Sequence, residues 1–181
     1  MSLKFSGVSY AYHTPAGETK AVENLSFCIE EGQFVSVIGP SGCGKSTILS
    51  LAAGLIAPGG GKVERGGGQF GYMLQTDALF PWRTVEQNIF LPLEVKKKNT
   101  KEMRENAVAL AVKYGLGDFL KKTPSQLSGG MRQRVALIRT LAAQPQTLLL
   151  DGAVSALDYQ ARLGVCGDVG GIIGSDLMTA L

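Results

Sequence analysis

Gly39-Pro40-Ser41-Gly42-Cys43-Gly44-Lys45-Ser46-Thr47 (GPSGCGKST, residues 39–47) decides the reading of this chain. It fits the pattern G-x-x-x-x-G-K-[ST]. Its glycines let successive backbone N–H groups turn inward, where they cradle phosphate oxygens. The helix that must follow points the positive end of its dipole at the same place. Lys45 then reaches the β- and γ-phosphates, and the Ser46 hydroxyl is a hard oxygen ligand for Mg²⁺. The competing reading is an ordinary glycine turn ahead of a helix, and the flanks decide between the two.

Upstream, Phe34-Val35-Ser36-Val37-Ile38 is a short apolar run between Gly32 and Gly39, which predicts a buried strand. Downstream, a helix is expected from Lys45, with Ile48, Leu49, Leu51, Ala52 and Leu55 on its apolar face. Strand, glycine loop and helix together are the context that the phosphate-loop reading requires. Residues 3–30 alternate and are broken at His13-Thr14-Pro15-Ala16-Gly17, which predicts antiparallel strands. Residues 101–114 read as a helix that Gly115 stops. Ser128 is placed to cap a helix over 130–143, with Val135, Leu137, Ile138 and Leu141 as apolar positions. Pro145 separates that helix from a second buried strand, Thr147–Leu150. The order predicts an α/β core with a helical insertion.

Asp151 closes the second strand. A carboxylate at the open end of a parallel sheet can hold Mg²⁺ through water; without the phosphate loop it would read as a turn residue. Leu127–Arg134 (LSGGMRQR) sets a serine and two glycines at a helix start. That is either a second anion-binding end or a plain N-cap.

Composition sets the outer bounds. The 181 residues are 45% hydrophobic and 18% charged, which suits one globular domain and excludes a disordered chain. A net charge of +3 gives no support for a nucleic-acid partner. Cys28, Cys43 and Cys166 are far apart, odd in number and without metal spacing, as in a reduced cytoplasmic protein. MSLKFSGVSY has no apolar signal region. No run reaches the about 18 apolar residues that cross a bilayer, so work at a membrane would go through a partner. The 24 glycines cluster at 59–68 and 164–174, with neither a collagen nor a linker period.

Taken together, these motifs resemble the ATP-binding subunit of ABC transporters. GPSGCGKST (39–47) matches Walker A, LSGGMRQR (127–134) the signature motif, and SALD (155–158) the D-loop, while TLLLD looks like Walker B. Gly71-Tyr72-Met73-Leu74-Gln75 looks like the Q-loop. The stretch after it, Thr76 to Thr84, is similar to the importer branch for nitrate, sulfonate and taurine. The resemblance implies a P-loop NTPase (RecA-like) α/β core with an antiparallel β subdomain and an inserted helical subdomain. In one domain (1–181), residues 1–74 and 144–181 would form the nucleotide-binding core, and 75–143 the Q-loop and helical subdomain.

It also implies roles. Tyr12 stands where the family stacks an aromatic ring on adenine. Gly39, Pro40, Ser41, Gly42, Cys43, Gly44, Lys45, Ser46 and Thr47 would hold the phosphates. Ser46, Gln75 and Asp151 would hold Mg²⁺ and its waters, and Lys45, Gln75 and Asp151 would be the catalytic set. Ser128, Gly129 and Gly130 would contact the γ-phosphate of ATP on the opposite subunit. The implied cofactors are ATP and Mg²⁺. The implied partners are a second ATP-binding subunit, a membrane permease and, indirectly, a solute-binding protein. The place would be the cytoplasmic face of the cell membrane. Residues 76–90 would lie near the permease, with Trp82 either a contact or a packed aromatic.

Three departures follow from the same resemblance. Gly152 stands where the family places the glutamate that polarises the attacking water, and Ala153 where it has proline. The family's switch histidine has no counterpart, since His13 is the only histidine and lies beside Tyr12. The glycines over 162–174 make a poor helix where the family has one. The expectation is a cassette incomplete at its C-terminus, either an active subunit by descent, a nucleotide-binding module without hydrolysis, or a fragment that does not fold stably.

Overall fold

The structure is a computed structural model that describes residues 2–15, 17–33, 35–97 and 100–152. These fall into two units, residues 2–72 with 146–151 and residues 73–145 with 152.

The first unit begins with the expected hairpin. Strands β1 (Leu3–Thr14) and β2 (Gly17–Ile29) pair antiparallel from Leu3↔Ile29 to Thr14↔Gly17. The other edge of β1 pairs antiparallel with β3 (Gly60–Arg65), giving the order β2-β1-β3. One face of this sheet turns Leu3, Phe5, Val8, Val22 and Ile29 inward. They meet Leu49, Leu51 and Ala52 of helix α1 (Lys45–Ala53) and Leu149 of β5 (Thr147–Leu150) in one apolar core. β5 is buried along its whole length, which is why it reads as an unbroken apolar run, and it pairs with β4 (Phe70–Met73). The Arg65 guanidinium donates to the Leu51 and Ala52 carbonyls at the end of α1, adding to the Gly54 N–H that Leu51 O already accepts.

Two expectations for this unit need correction. Residues 35–38 are not a strand: they carry no ladder. Val35 and Val37 pack on the core, whereas Ile38 is 89% exposed. Alternation predicts which side chains turn inward; a strand also needs a neighbour to bond, and no described strand pairs with 35–38. Leu55 lies beyond the end of α1 and is exposed rather than part of its apolar face.

The second unit is helical. Helix α2 (Val85–Val95) starts at a capping box: Thr84 Oγ1 accepts from Gln87 N at 3.3 Å, and Gln87 Oε1 accepts from Thr84 N at 3.0 Å. α3 (Lys101–Lys113) is capped by Thr100, and after it Gly115 N donates to Val112 O and Leu116 N to Ala111 O, the expected stop. α4 (Gly129–Ala142) starts at Ser128, whose hydroxyl accepts from Met131 N at 3.3 Å.

Asn88 anchors α2 to the loop before it. It is fully buried, accepts from Phe80 N at 2.8 Å, and donates to the carbonyls of Phe80, Arg83 and Thr84 at 3.2, 3.2 and 3.0 Å. Asn88→Ala strands these backbone groups away from water. A loss of about 2 kcal/mol is expected, or a fall of roughly 4–8 °C in melting temperature. A calorimetric melt checks it, and an unchanged midpoint would refute it.

Candidate functional site

The phosphate loop runs directly into α1. Gly44, the residue before the first turn, has φ +97°, and a Cβ there would lie 2.4 Å from the Ala21 carbonyl oxygen. No side chain fits, so none caps the helix, and its first N–H groups stay available to a ligand. Lys45 Nζ donates to Gly39 O at 2.8 Å, to Pro40 O at 2.7 Å and to Cys43 Sγ at 3.7 Å. The ammonium thus folds back onto the main chain of its own loop. Ser41, Gly42, Cys43 and Ser46 are exposed. Tyr12 is 45% exposed, and its hydroxyl meets Thr47 Oγ1 at 3.1 Å. An aromatic ring of β1 is therefore tied to the last residue of the loop motif.

Asp151 follows β5 and is half-buried. Tyr72 on β4 is its neighbour, a residue to which the sequence reading gave no role of its own. Burial pushes the Tyr72 hydroxyl above its ordinary value; a hydrogen bond with Ser50 opposes this, and the Asp151 carboxylate adds to it by charge and hydrogen bonding. Only its place on the strand before Gln75 marked it.

Among the described residues no group of three His, Cys, Asp or Glu side chains is placed to hold a metal. The residues that the resemblance expects to hold a metal offer a hydroxyl (Ser46), a carboxylate (Asp151) and an amide oxygen (Gln75). Hard oxygens with a single carboxylate suit Mg²⁺, which takes its remaining ligands from phosphates and water.

Gln75, Ser128, Gly129 and Gly130 belong to the second unit. Gln75 is exposed, and Gln133 Nε2 of α4 donates to its main-chain carbonyl at 3.3 Å. Arg132 Nε meets Asp77 Oδ2 at 2.9 Å, and Arg139 donates to Asp77 O at 2.8 Å and to Ala78 O at 2.7 Å. Burial lowers the Arg139 guanidinium from its ordinary value, and the Asp77 charge opposes this. Ser128 and Gly129 are exposed and Gly130 half-buried at the start of α4.

Gly152 has φ +61°, and a Cβ there would come 3.3 Å from Gln75 Cγ. The position expected to carry glutamate thus holds a left-handed backbone turned toward Gln75. Trp82 is 73% exposed, and its ring packs against Phe80 with centroids 5.1 Å apart. His13 is exposed on the hairpin opposite Glu18, away from a catalytic role. SALD and the glycine-rich stretch 162–174 lie outside the described residues.

Comparison with known proteins points to one family. The model of the ABC transporter family matches residues 22–155. The uncharacterized ABC transporter ATP-binding protein YtlC of Bacillus subtilis is 47% identical over 170 residues, 90% of this chain and 65% of that protein. The aliphatic sulfonates import ATP-binding protein SsuB of Bacillus thuringiensis is 40% identical over 169 residues, 90% of this chain and 66% of that protein. The chain therefore spans just under two-thirds of the length of these relatives. A dimeric post-hydrolysis structure of the ATP-binding cassette MJ0796, bound to ADP and Pi, superposes with a TM-score of 0.85 at 27% identity. That match covers 98% of this chain and 87% of the other, and it establishes the P-loop NTPase fold of these cassettes. With the phosphate loop at 39–47 and the signature stretch at the start of α4 both in place, the chain belongs to the ABC transporter family.

Proposed function

We propose that this chain is the ATP-binding subunit of an importer for nitrate-, sulfonate- or taurine-like anions, and that it couples ATP binding and hydrolysis to transport through a membrane permease. The observation that carries the reading is the phosphate loop: an uncapped helix start, a residue 44 that admits only glycine, and Lys45 lying across the loop. Its N–H groups and Lys45 bind the β- and γ-phosphates, and Tyr12 stacks on the adenine. Ser46, Gln75 and Asp151 are the residues that would hold Mg²⁺, which when bound neutralises phosphate charge. Ser128, Gly129 and Gly130 take the γ-phosphate of ATP on a second copy.

The anion class is supported by residues 71–84 and by the printed role of the SsuB relative in aliphatic sulfonate import. Pairing of two subunits is supported by the dimeric cassette structure. No helix among the described residues is long and apolar enough to cross a membrane. In this reading the chain sits at the cytoplasmic face of the cell membrane, against the permease. Exposed Trp82 belongs to the surface that would meet it. A solute-binding protein acts on the far side of that permease.

Titration calorimetry with Mg-ATP tests this reading. The chain binds it, and Tyr12→Ala weakens binding about tenfold, the value of one stacked base. Absence of binding at millimolar Mg-ATP overturns the reading.

A further inference from the structure

Three side chains of one helix hold one short segment of the chain. Arg132, Gln133 and Arg139 of α4 bond the segment 75–78: Gln133 to the Gln75 carbonyl, Arg132 to the Asp77 carboxylate, and Arg139 to the Asp77 and Ala78 carbonyls. Ala78 sits at φ +45°, an uncommon value for a residue with a side chain, at the point where Arg139 grips the chain. The two arginines act downstream of Gln75, and Gln133 alone bonds Gln75 itself. Its bond is the longest of the four at 3.3 Å, and its own Oε1 is buried without a hydrogen bond among the described residues.

A buried acceptor left without a donor costs stability, and replacing such a side chain by an apolar one of similar shape is neutral or favourable. Gln133 is therefore a poor choice if its task is only to hold the helix in place. We propose that Gln133 is a positioning residue for Gln75: its amide fixes the Gln75 main chain, and thereby aims the Gln75 side chain at the Mg²⁺-nucleotide. This rests on the functional reading above, in which Gln75 faces the metal and its waters.

The test uses Gln133→Leu, Gln75→Ala and the double variant in the full chain, with ATP as the probe in EDTA and over a Mg²⁺ series. In Gln133→Leu we expect the melting temperature to stay or rise, and ATP affinity in EDTA to stay unchanged. The Mg²⁺ concentration that half-restores tight ATP binding rises about 3- to 10-fold, the effect of one hydrogen bond. Gln75→Ala shifts the same curve, and the double variant shifts it no further than Gln75→Ala alone, because the two act through one contact. A lower melting temperature with an unmoved Mg²⁺ curve in Gln133→Leu makes the residue a structural pin and overturns the proposal alone. An unmoved Mg²⁺ curve in Gln75→Ala, with ATP still bound, removes the role of Gln75 in the functional reading, and the proposal falls with it.

Discussion

Replacing Gly152 by glutamate raises ATP turnover about 10²-fold or more and lowers the melting temperature by several degrees. Both halves come from the same position. A positioned general base contributes about 10²–10⁴ in rate, and glycine has no group to act as one. The backbone at 152 is left-handed, at φ +61°. A side chain there costs about 1–2 kcal/mol, or roughly 2–8 °C for a chain of this length. A Cβ at 152 also meets Gln75 Cγ at 3.3 Å, so the flexible Gln75 side chain must give by a few tenths of an ångström. The direction is still the useful one, because the new carboxylate points toward the residue assigned to the Mg²⁺ waters. Gly152→Ala separates strain from chemistry: it carries the thermal penalty without the gain in turnover. Phosphate release and melting curves measured side by side on the parent and both variants decide the matter. A glutamate variant no faster than the alanine variant would mean that the missing base is not what limits the parent.

Local chemistry was the legible part of this sequence. The turn at residues 13–17 announced the β1–β2 hairpin, Gly115 the end of α3, Ser128 the start of α4, and the glycine-lysine loop the start of α1. Each of these is settled by a few consecutive residues. Residues 35–38 failed as a strand because strand formation is a property of pairs: Val35 and Val37 turn inward as alternation requires, yet the ladder depends on a neighbour far away in the chain. No helix was predicted at α2, although Thr84 and Gln87 spell a capping box; Pro92 inside it interrupts the ordinary helical pattern. In the candidate site, the motif residues of the phosphate loop were visible and their supports were not. Tyr72 beside Asp151, and Gln133 and Arg139 on the segment 75–78, come from distant stretches of chain, and no spacing rule connects them. A motif marks the groups that touch a ligand; the groups that aim them are visible only once the chain is folded.

Lys45→Ala lowers the affinity for Mg-ATP about 10²-fold, as expected for the loss of two charge-assisted hydrogen bonds to phosphate oxygens. In the structure Lys45 Nζ rests on Gly39 O and Pro40 O at 2.8 and 2.7 Å, so the ammonium is already over the loop and needs little movement to meet a phosphate. The fold does not depend on it. Alanine and lysine are both good helix formers, and the core of this unit is built from Leu49, Leu51 and Ala52 on α1 and not from residue 45. The melting temperature without nucleotide therefore stays within about 2 °C of the parent. Lys45→Arg does not rescue binding, because a planar fork cannot take the place of a compact ammonium seated between two neighbouring main-chain oxygens. Calorimetric titration with ATP and with AMP reads the assignment directly. The loss is large for ATP and small for AMP, which lacks the phosphates that Lys45 is assigned to reach. Equal losses for the two nucleotides would instead mean that Lys45 shapes the loop as a whole, and its assignment to the β- and γ-phosphates would fall.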